Sequence, residues 1–304
     1  PLSPNPAPVN SPSGSAGGSP KICSWQVLRA RLCTPPVDPP VRQAPGEDCL
    51  STAAAQGLHL PRGQAARTGG LALHSGTAYL GRAGAAVRTS TGTITPGYVV
   101  NAAGAYADRV AHDWGFGEQY RILPFRGLYL EAERGSPPFR THIYPVPDLA
   151  QPFLGVHVTV HVGGRTTLGP TATPAFWREH YGGMRGFNLA ECASIVAREA
   201  GLFLRNDFGF RQLAMDELRK YSRRHLLALA ASLAEGLRPE HFRRWGPPGI
   251  RAQLIDIRKR RLEMDFKYEG DDRSFHILNA VSPGLTCSMP FAAHLVSEID
   301  RLRR

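Results

Sequence analysis

Residues 98–113, YVVNAAGAYADRVAHD, constrain the fold of this chain more than any other stretch. Tyr98, Val99, Val100 and Asn101 have the pattern of a short buried strand. Ala102, Ala103 and Gly104 make a turn of small residues, and 105–113 can start a helix. Strand, tight turn and helix in that order is the unit of a doubly wound α/β sheet. With only small side chains at the turn, backbone can approach a bulky ligand, and the helix start carries partial positive charge. Tight strand–helix packing explains the same residues equally well, so the pattern alone leaves both open.

The flanking sequence divides around this unit. Residues 1–62 are rich in Pro, Ser and Gly and hold too few large apolar side chains to offset ordering entropy. They are expected to be disordered, with at most a short helix at 25–32. Short strands are expected at 71–80 and 85–94, before the unit at 98–113. Further strands follow at 122–131, 141–146 and 153–162, the last turning at Gly163-Gly164 into a hairpin. Alternation puts Val156, Val158, Val160 and Val162 on one face and His157, Thr159 and His161 on the other.

Asn188 with Glu191 resembles a capping box, opening a helix with Cys192, Ile195, Val196, Leu202 and Phe203 on one face. A second helix is predicted over 210–234, with Leu213, Leu218, Leu226 and Leu233 inward and Gly236 as its stop. Strands 262–268 and 274–279 then pair. A small-residue loop, Ser282, Pro283, Gly284, Leu285 and Thr286, leads to a terminal helix with Pro290 in its first turn. Its inward face is Phe291, Leu295, Ile299 and Leu302. Such a chain leaves a nucleotide-binding domain, builds an antiparallel substrate domain and returns.

Composition excludes several classes. At 304 residues and 42% hydrophobic the chain is ordinarily globular, and no apolar run reaches the roughly 18 residues that span a bilayer. No signal-peptide pattern opens it, so a soluble, cytoplasmic protein is expected, with room for peripheral contact at an inner membrane. Five widely spaced cysteines argue against a disulfide framework or a zinc site. The net charge of +11 comes from Arg clusters interleaved with acids, without an aromatic-studded basic stripe, so no nucleic-acid partner is expected.

Candidate chemistry rests on a few side chains. Arg251, between Ile250 and Ala252, has a planar fork suited to a carboxylate; Asp256 or Asp265 would serve equally as internal partners. His157 stands on the polar side of its strand, where it could take a hydroxyl proton or simply complete a hydrogen-bond network. Tyr144 in HIYPVPD and Arg126 in PFRG could bind substrate or finish a polar core edge. His157 and His161 lie about 13 Å apart on an extended strand and cannot share a metal; no metal site is expected.

The strings VVNAAGAYADRVAH, YRILPFRGLYL, RTHIYPVPDLAQPFLGVHVTV, GPTATPAFWREHYGG, GIRAQLIDI and HILNAVSPGLTCSMPFAAH run in order from about residue 63 to the C-terminus. Together they resemble the FAD-dependent L-2-hydroxyglutarate dehydrogenases and oxidases, within the D-amino-acid-oxidase-like flavoproteins. The resemblance implies a mixed α/β and α+β fold. A partial doubly wound FAD-binding domain (63–120 and 246–304) would join an antiparallel-sheet substrate domain with helices (121–245).

It further implies FAD as cofactor, near Ala102, Ala103 and Gly104 at its adenosine-diphosphate portion and near Ser282, Pro283, Gly284, Leu285 and Thr286 at its isoalloxazine. Arg251 would bind a substrate carboxylate, Tyr144 and Arg126 would line the site, and His157 would be the base. A small 2-hydroxy acid would reduce the flavin, which oxygen, a quinone or an electron-transfer protein would reoxidise. The family's G-x-G-x-x-G turn is not found in residues 1–62, so the resemblance also implies an N-terminal truncation, an open sheet edge and, as the alternative to an enzyme, a non-catalytic fragment.

Overall fold

The computed structural model describes residues 72–132, 139–146, 153, 155–161, 163–281, 284 and 287–304. All of these belong to one compact unit, Cys49–Arg304. The expectation for residues 1–62 lies outside the described residues.

The first elements are a three-stranded antiparallel meander of β1 (Tyr79–Ala83), β2 (Ala86–Thr89) and β3 (Gly92–Ile94). Next comes the strand–turn–helix unit: β4 (Val99–Asn101), a 3-10 turn at Gly104–Tyr106, and α1 (Ala107–Asp113). Strand β5 (Tyr120–Gly127) continues into β6 (Leu130–Glu131). Strands β7 (His157–Val160) and β8 (Thr166–Gly169) form the hairpin over Gly163-Gly164, and β9 (Thr173–Pro174) follows. Of the strand expected at 141–146, only a bridge between Ile143 and Val158 forms among the described residues.

Helix α2 (Leu189–Arg205) begins as the capping pattern requires, with the Asn188 side chain accepting the Glu191 N–H at 2.9 Å, and ends at a left-handed Asn206. The helix predicted over 210–234 is broken. Helix α3 (Phe210–Arg219) stops, and Ser222 caps a new helix, α4 (Arg223–Ala231). The break lets Leu213 face one core cluster and Leu226 and Leu227 another, which one straight helix could not do.

The chain then forms β10 (Arg244–Trp245), β11 (Gly249–Asp256), β12 (Arg261–Leu262), β13 (Lys267–Gly270) and β14 (Ser274–Asn279), ending in α5 (Ser288–Leu302). The pairing predicted for 262–268 with 274–279 is narrower than expected: Leu262 belongs to β12 and pairs with β11. On α5 Leu295 is buried and Phe291 stacks on Phe266 at 4.1 Å.

Two sheets position the site. In the first, β11 pairs antiparallel with β5 along its whole length, flanked by β12 and β9. In the second, β14 lies parallel to β4 and antiparallel to β13. Directly opposed residues share a face in an antiparallel pair. Ile122 and Leu254 therefore pack together with Ala107, Ala111 and Leu278, on the side of α1 and β14. Leu123, Phe125 and Ile255 pack on the other side with Leu202, Phe210 and Leu213.

A polar knot ties these parts. Asp108 of α1 is 1% exposed and takes both guanidinium arms of Arg178, at 2.5 and 2.9 Å. The same carboxylate accepts the backbone N–H of Ile122 on β5 and of Arg109. Glu191, at the start of α2, accepts the Arg178 backbone N–H at 2.6 Å and pairs with Arg109. Burial alone would raise the Asp108 pKa; the Arg178 hydrogen bonds and charge, with the two N–H groups, outweigh it and hold the carboxylate below its ordinary range.

Breaking a buried pair leaves an uncompensated charge. Asp108→Ala should cost about 3–5 kcal/mol of stability, read as a lower urea midpoint with an unchanged m-value.

Candidate functional site

The parallel pair β4 and β14 brings two distant loops to one edge. Both strands run the same way, so the loop after Asn101 and the loop after Asn279 leave from their carboxyl ends. In doubly wound sheets ligands bind in that crevice. Ala102, Ala103 and Gly104 are exposed there, and a Cβ built on Gly104 would meet nothing within 4 Å. Small residues and open space on this side fit a large planar cofactor. Gly104 has φ +54°, a conformation that glycine adopts without strain.

Gly284 is the described member of the second loop. Its N–H binds the Val281 carbonyl at 2.6 Å, and an added Cβ would lie 2.8 Å from that oxygen, so the turn admits no side chain. Ser282, Pro283, Leu285 and Thr286 lie outside the described residues.

The turn after β4 is held by one buried side chain. Asn101 Oδ1 accepts the Ala103 N–H at 3.1 Å, so that amide is engaged internally. Asn101 Nδ2 donates to the Ala107 carbonyl and to Nδ1 of His276 on β14. Since His276 Nδ1 accepts, the neutral ring carries its proton on Nε2, which faces the Ser274 hydroxyl at 3.1 Å. Burial pushes the His276 pKa down to about 4.

A second constellation lies on the antiparallel sheet of β10, β6, β8 and β7. The Tyr144 and His157 rings sit 4.5 Å apart. His157 Nδ1 donates to the Gly155 carbonyl at 3.1 Å, leaving the Nε2 lone pair available in the neutral ring. Burial holds the His157 pKa below its usual value, against the raising effect of the Gly155 carbonyl and with a smaller lowering by His142.

Tyr129, not singled out from sequence, belongs here. His157 is opposite Gly169, where any Cβ would lie 2.9 Å from the Tyr129 ring, so glycine lets these strands close. Burial and the neighbouring Tyr144 raise the Tyr129 pKa. Its sequence surroundings, RGLYL, carry no periodic signal that separates it from a core aromatic.

The two arginines do not share a face. Arg126 is opposite Ile250 and Arg251 is opposite Phe125, so their side chains leave the β5–β11 pair on opposite sides. Arg251 stands 4.9 Å over the Phe153 ring and donates to Gln253 at 3.2 Å, and burial lowers its pKa. Asp256, one expected partner, accepts the N–H groups of Arg258 and Lys259, and Asp265 accepts that of Phe266. Arg126 points to the α1 side, with its Nε buried and without a hydrogen-bond partner among the described residues.

The family of FAD dependent oxidoreductases matches residues 61–299. The chain belongs to that family. It is 34% identical over 228 residues to the L-2-hydroxyglutarate dehydrogenase of Salmonella houtenae, covering 73% of this chain and 52% of the relative. Against the mitochondrial L-2-hydroxyglutarate dehydrogenase of Mus musculus it is 33% identical over 229 residues, covering 71% and 47%. The chain thus spans about half the length of the curated relatives it matches.

Among solved structures, the dithionite-reduced L-alpha-glycerophosphate oxidase of Mycoplasma pneumoniae with FAD bound superposes with a TM-score of 0.51. It shares 19% identity, over 79% of this chain and 53% of that one. At that identity the likeness shows the fold alone: the mixed α/β fold of FAD-dependent oxidoreductases. Among the described residues no helix is long and apolar enough to cross a membrane.

The His276 network makes stability depend on pH. The folded ring titrates near 4 and an unfolded one near 6.5. Between these values the unfolded chain takes up the proton and the folded chain does not. Stability is therefore full above pH 6.5 and falls toward pH 4, by at most about 3 kcal/mol. Urea titrations at pH 7 and 4.5 should show that loss in the wild type and less of it in His276→Gln.

Proposed function

We propose that this chain is the substrate-handling part of an FAD-dependent oxidoreductase that converts L-2-hydroxyglutarate, or a similar 2-hydroxy acid, to the 2-oxo acid. The observation that carries this reading is the grouping of half-buried Tyr129 and His157 with exposed Tyr144, in a chain whose small-residue turn, Ala102, Ala103 and Gly104, borders open space at a parallel strand end. The match to relatives named L-2-hydroxyglutarate dehydrogenase supplies the substrate class.

FAD, when bound, would supply the two-electron acceptor for the hydrogen and electron pair lost from C2. Ala102, Ala103 and Gly104 would border it on one side and the loop with Gly284 on the other. His157 takes the hydroxyl proton at Nε2, because Nδ1 is engaged by Gly155. As the O–H bond breaks, its electron pair forms the carbonyl and the hydrogen on C2 departs as hydride with the C2–H pair. Tyr144 fixes the His157 ring by contact.

Arg126 is a better carboxylate partner than Arg251 here. Its Nε–H has no acceptor among the described residues, whereas Arg251 is occupied by Gln253 and Phe153. By this proposal 63–120 and the return at 267–304 serve the cofactor, while 121–245 serve the substrate. β11 joins the substrate part, since it pairs with all of β5. The electron acceptor is oxygen, a quinone or an electron-transfer protein.

A non-catalytic fragment is the second reading. It is favoured by β4 lying at a sheet edge among the described residues, with Val100 51% exposed, and by residues 1–62 lacking a G-x-G-x-x-G turn. The visible spectrum of the purified chain, after addition of FAD and removal of the excess, separates the two. Retained flavin that bleaches with L-2-hydroxyglutarate is the expected result; a colourless protein means the chain alone is not an enzyme.

If the chain turns over, kcat/KM should rise with pH along a limb whose midpoint lies below 6.5, since His157 must be neutral and its pKa is lowered. A limb above 7 would remove His157 as the base.

A further inference from the structure

Helix α2 carries a second apolar face, turned to water. Its inner face holds Glu191, Ile195 and Leu202, all buried, with Arg198 and Glu199 half-buried beside them. Val196 and Phe203, expected from the sequence to share that face, are 42% and 40% exposed instead. They belong to an outer row of Leu189, Ala193, Val196, Ala200 and Phe203, every member of which is exposed. Exposed Ala190, Ala197 and Leu204 widen the row.

A surface helix ordinarily turns charged side chains to water. Between Leu189 and Leu204 no exposed residue of α2 is charged; the charged residues of that span, Glu191, Arg198 and Glu199, lie buried or half-buried on the inner side. Single exposed apolar residues are ordinary, but a contiguous uncharged face marks an interaction surface.

The spacing of the row specifies the kind of partner. Steps of four, three, four and three residues repeat the seam of a coiled coil, which meets one other helix along its length. Size alternates along it, with Leu189, Val196 and Phe203 at one set of positions and Ala193 and Ala200 at the other. In an antiparallel pair of identical helices crossing at residue 198, Ala193 meets Phe203 of the second copy and Val196 meets Ala200 of the second copy. Each layer then combines one large and one small side chain, which lets the helices approach closely. A parallel pair would set Phe203 on Phe203 and leave Ala200 facing Ala200.

Electrostatics favour the same order. Antiparallel packing puts the positive N-terminus of each helix beside the negative C-terminus of the other. The 17 residues of α2 form a helix about 25 Å long. Two such seams bury on the order of 1,000 Å² in total, at the low end for a specific interface.

We propose that the outer face of α2 is a self-association surface, through which two copies of this chain pair by antiparallel packing of their α2 helices about a two-fold axis. The surface does not depend on the reaction proposed above.

Sedimentation velocity of the full chain tests it. The expected result is a reversible monomer–dimer equilibrium across loading concentrations of about 5 to 200 µM. Val196→Glu puts a carboxylate into the seam and should weaken association about a hundredfold or more. Its circular dichroism and urea midpoint should stay those of the wild type, because Val196 is exposed in the single chain. Ala193→Lys makes the same test in another layer if Val196→Glu does not fold. Val196→Ala leaves small facing small and should weaken association about tenfold. Combining it with Ala200→Val restores one large and one small residue to each layer and should return association to within about threefold of the wild type.

A chain that stays monomeric throughout the range refutes the proposal; flotation of that monomer with phosphatidylserine vesicles would assign the face to a lipid surface instead. A dimer left intact by both Val196→Glu and Ala193→Lys also refutes it, since the contact then lies elsewhere. A dimer broken by those two, but not recovered by the Val196→Ala and Ala200→Val combination, overturns the antiparallel order.

Discussion

The Asp108–Arg178 contact is the joint on which the arrangement depends. One carboxylate, almost fully buried, holds both arms of one guanidinium and a backbone amide of β5. It therefore connects α1, the central strand and the segment after β9. Through Glu191, the Arg178 backbone also connects to the start of α2. A hydrophobic contact would permit sliding; a bidentate ion pair with fixed amide donors sets both position and angle. The turn after β4 and the segment carrying His180 are held in relation to each other by this joint.

Hydrogen-bond partners at Nδ1 set the tautomers of three histidines. His157, His180 and His276 are all pushed below the usual histidine pKa, with burial the largest cause in each. Their hydrogen bonds differ. His157 donates its Nδ1–H to a carbonyl, which leaves the Nε2 lone pair unengaged by that bond. His180 and His276 receive a donor at Nδ1 and present Nε2–H.

Glu199 on α2 shows the cost of an unanswered group. Its carboxyl is pushed up to about 8 by burial, and its Oε1 has no hydrogen-bond partner. It lies between Ile195 and Leu202, both buried on the same helical face. Helical periodicity predicts that face, but the depth of position 199 depends on how closely the neighbouring elements approach.

Local signals in the sequence were sufficient for local structure. The order of small and apolar residues in 98–113 specified strand, turn and helix, Asn188 specified where α2 begins, and Gly163-Gly164 specified the hairpin turn. These follow from backbone sterics and capping within a few residues of the chain. Family membership was also legible, because ordered motifs survive at about one-third identity.

What only the tertiary structure decided concerns pairing across distance. The register of β11 on β5 sent Arg251 and Arg126 to opposite faces, and a slip of β11 by one residue would have put both on one face. The parallel pairing of β4 with β14 joined Asn101 to His276, 175 residues away. The division of 210–231 into two helices followed from serving two core clusters rather than from propensity. Side-chain direction and protonation depend on neighbours that the sequence does not place adjacent, so they became readable only when the packing was complete.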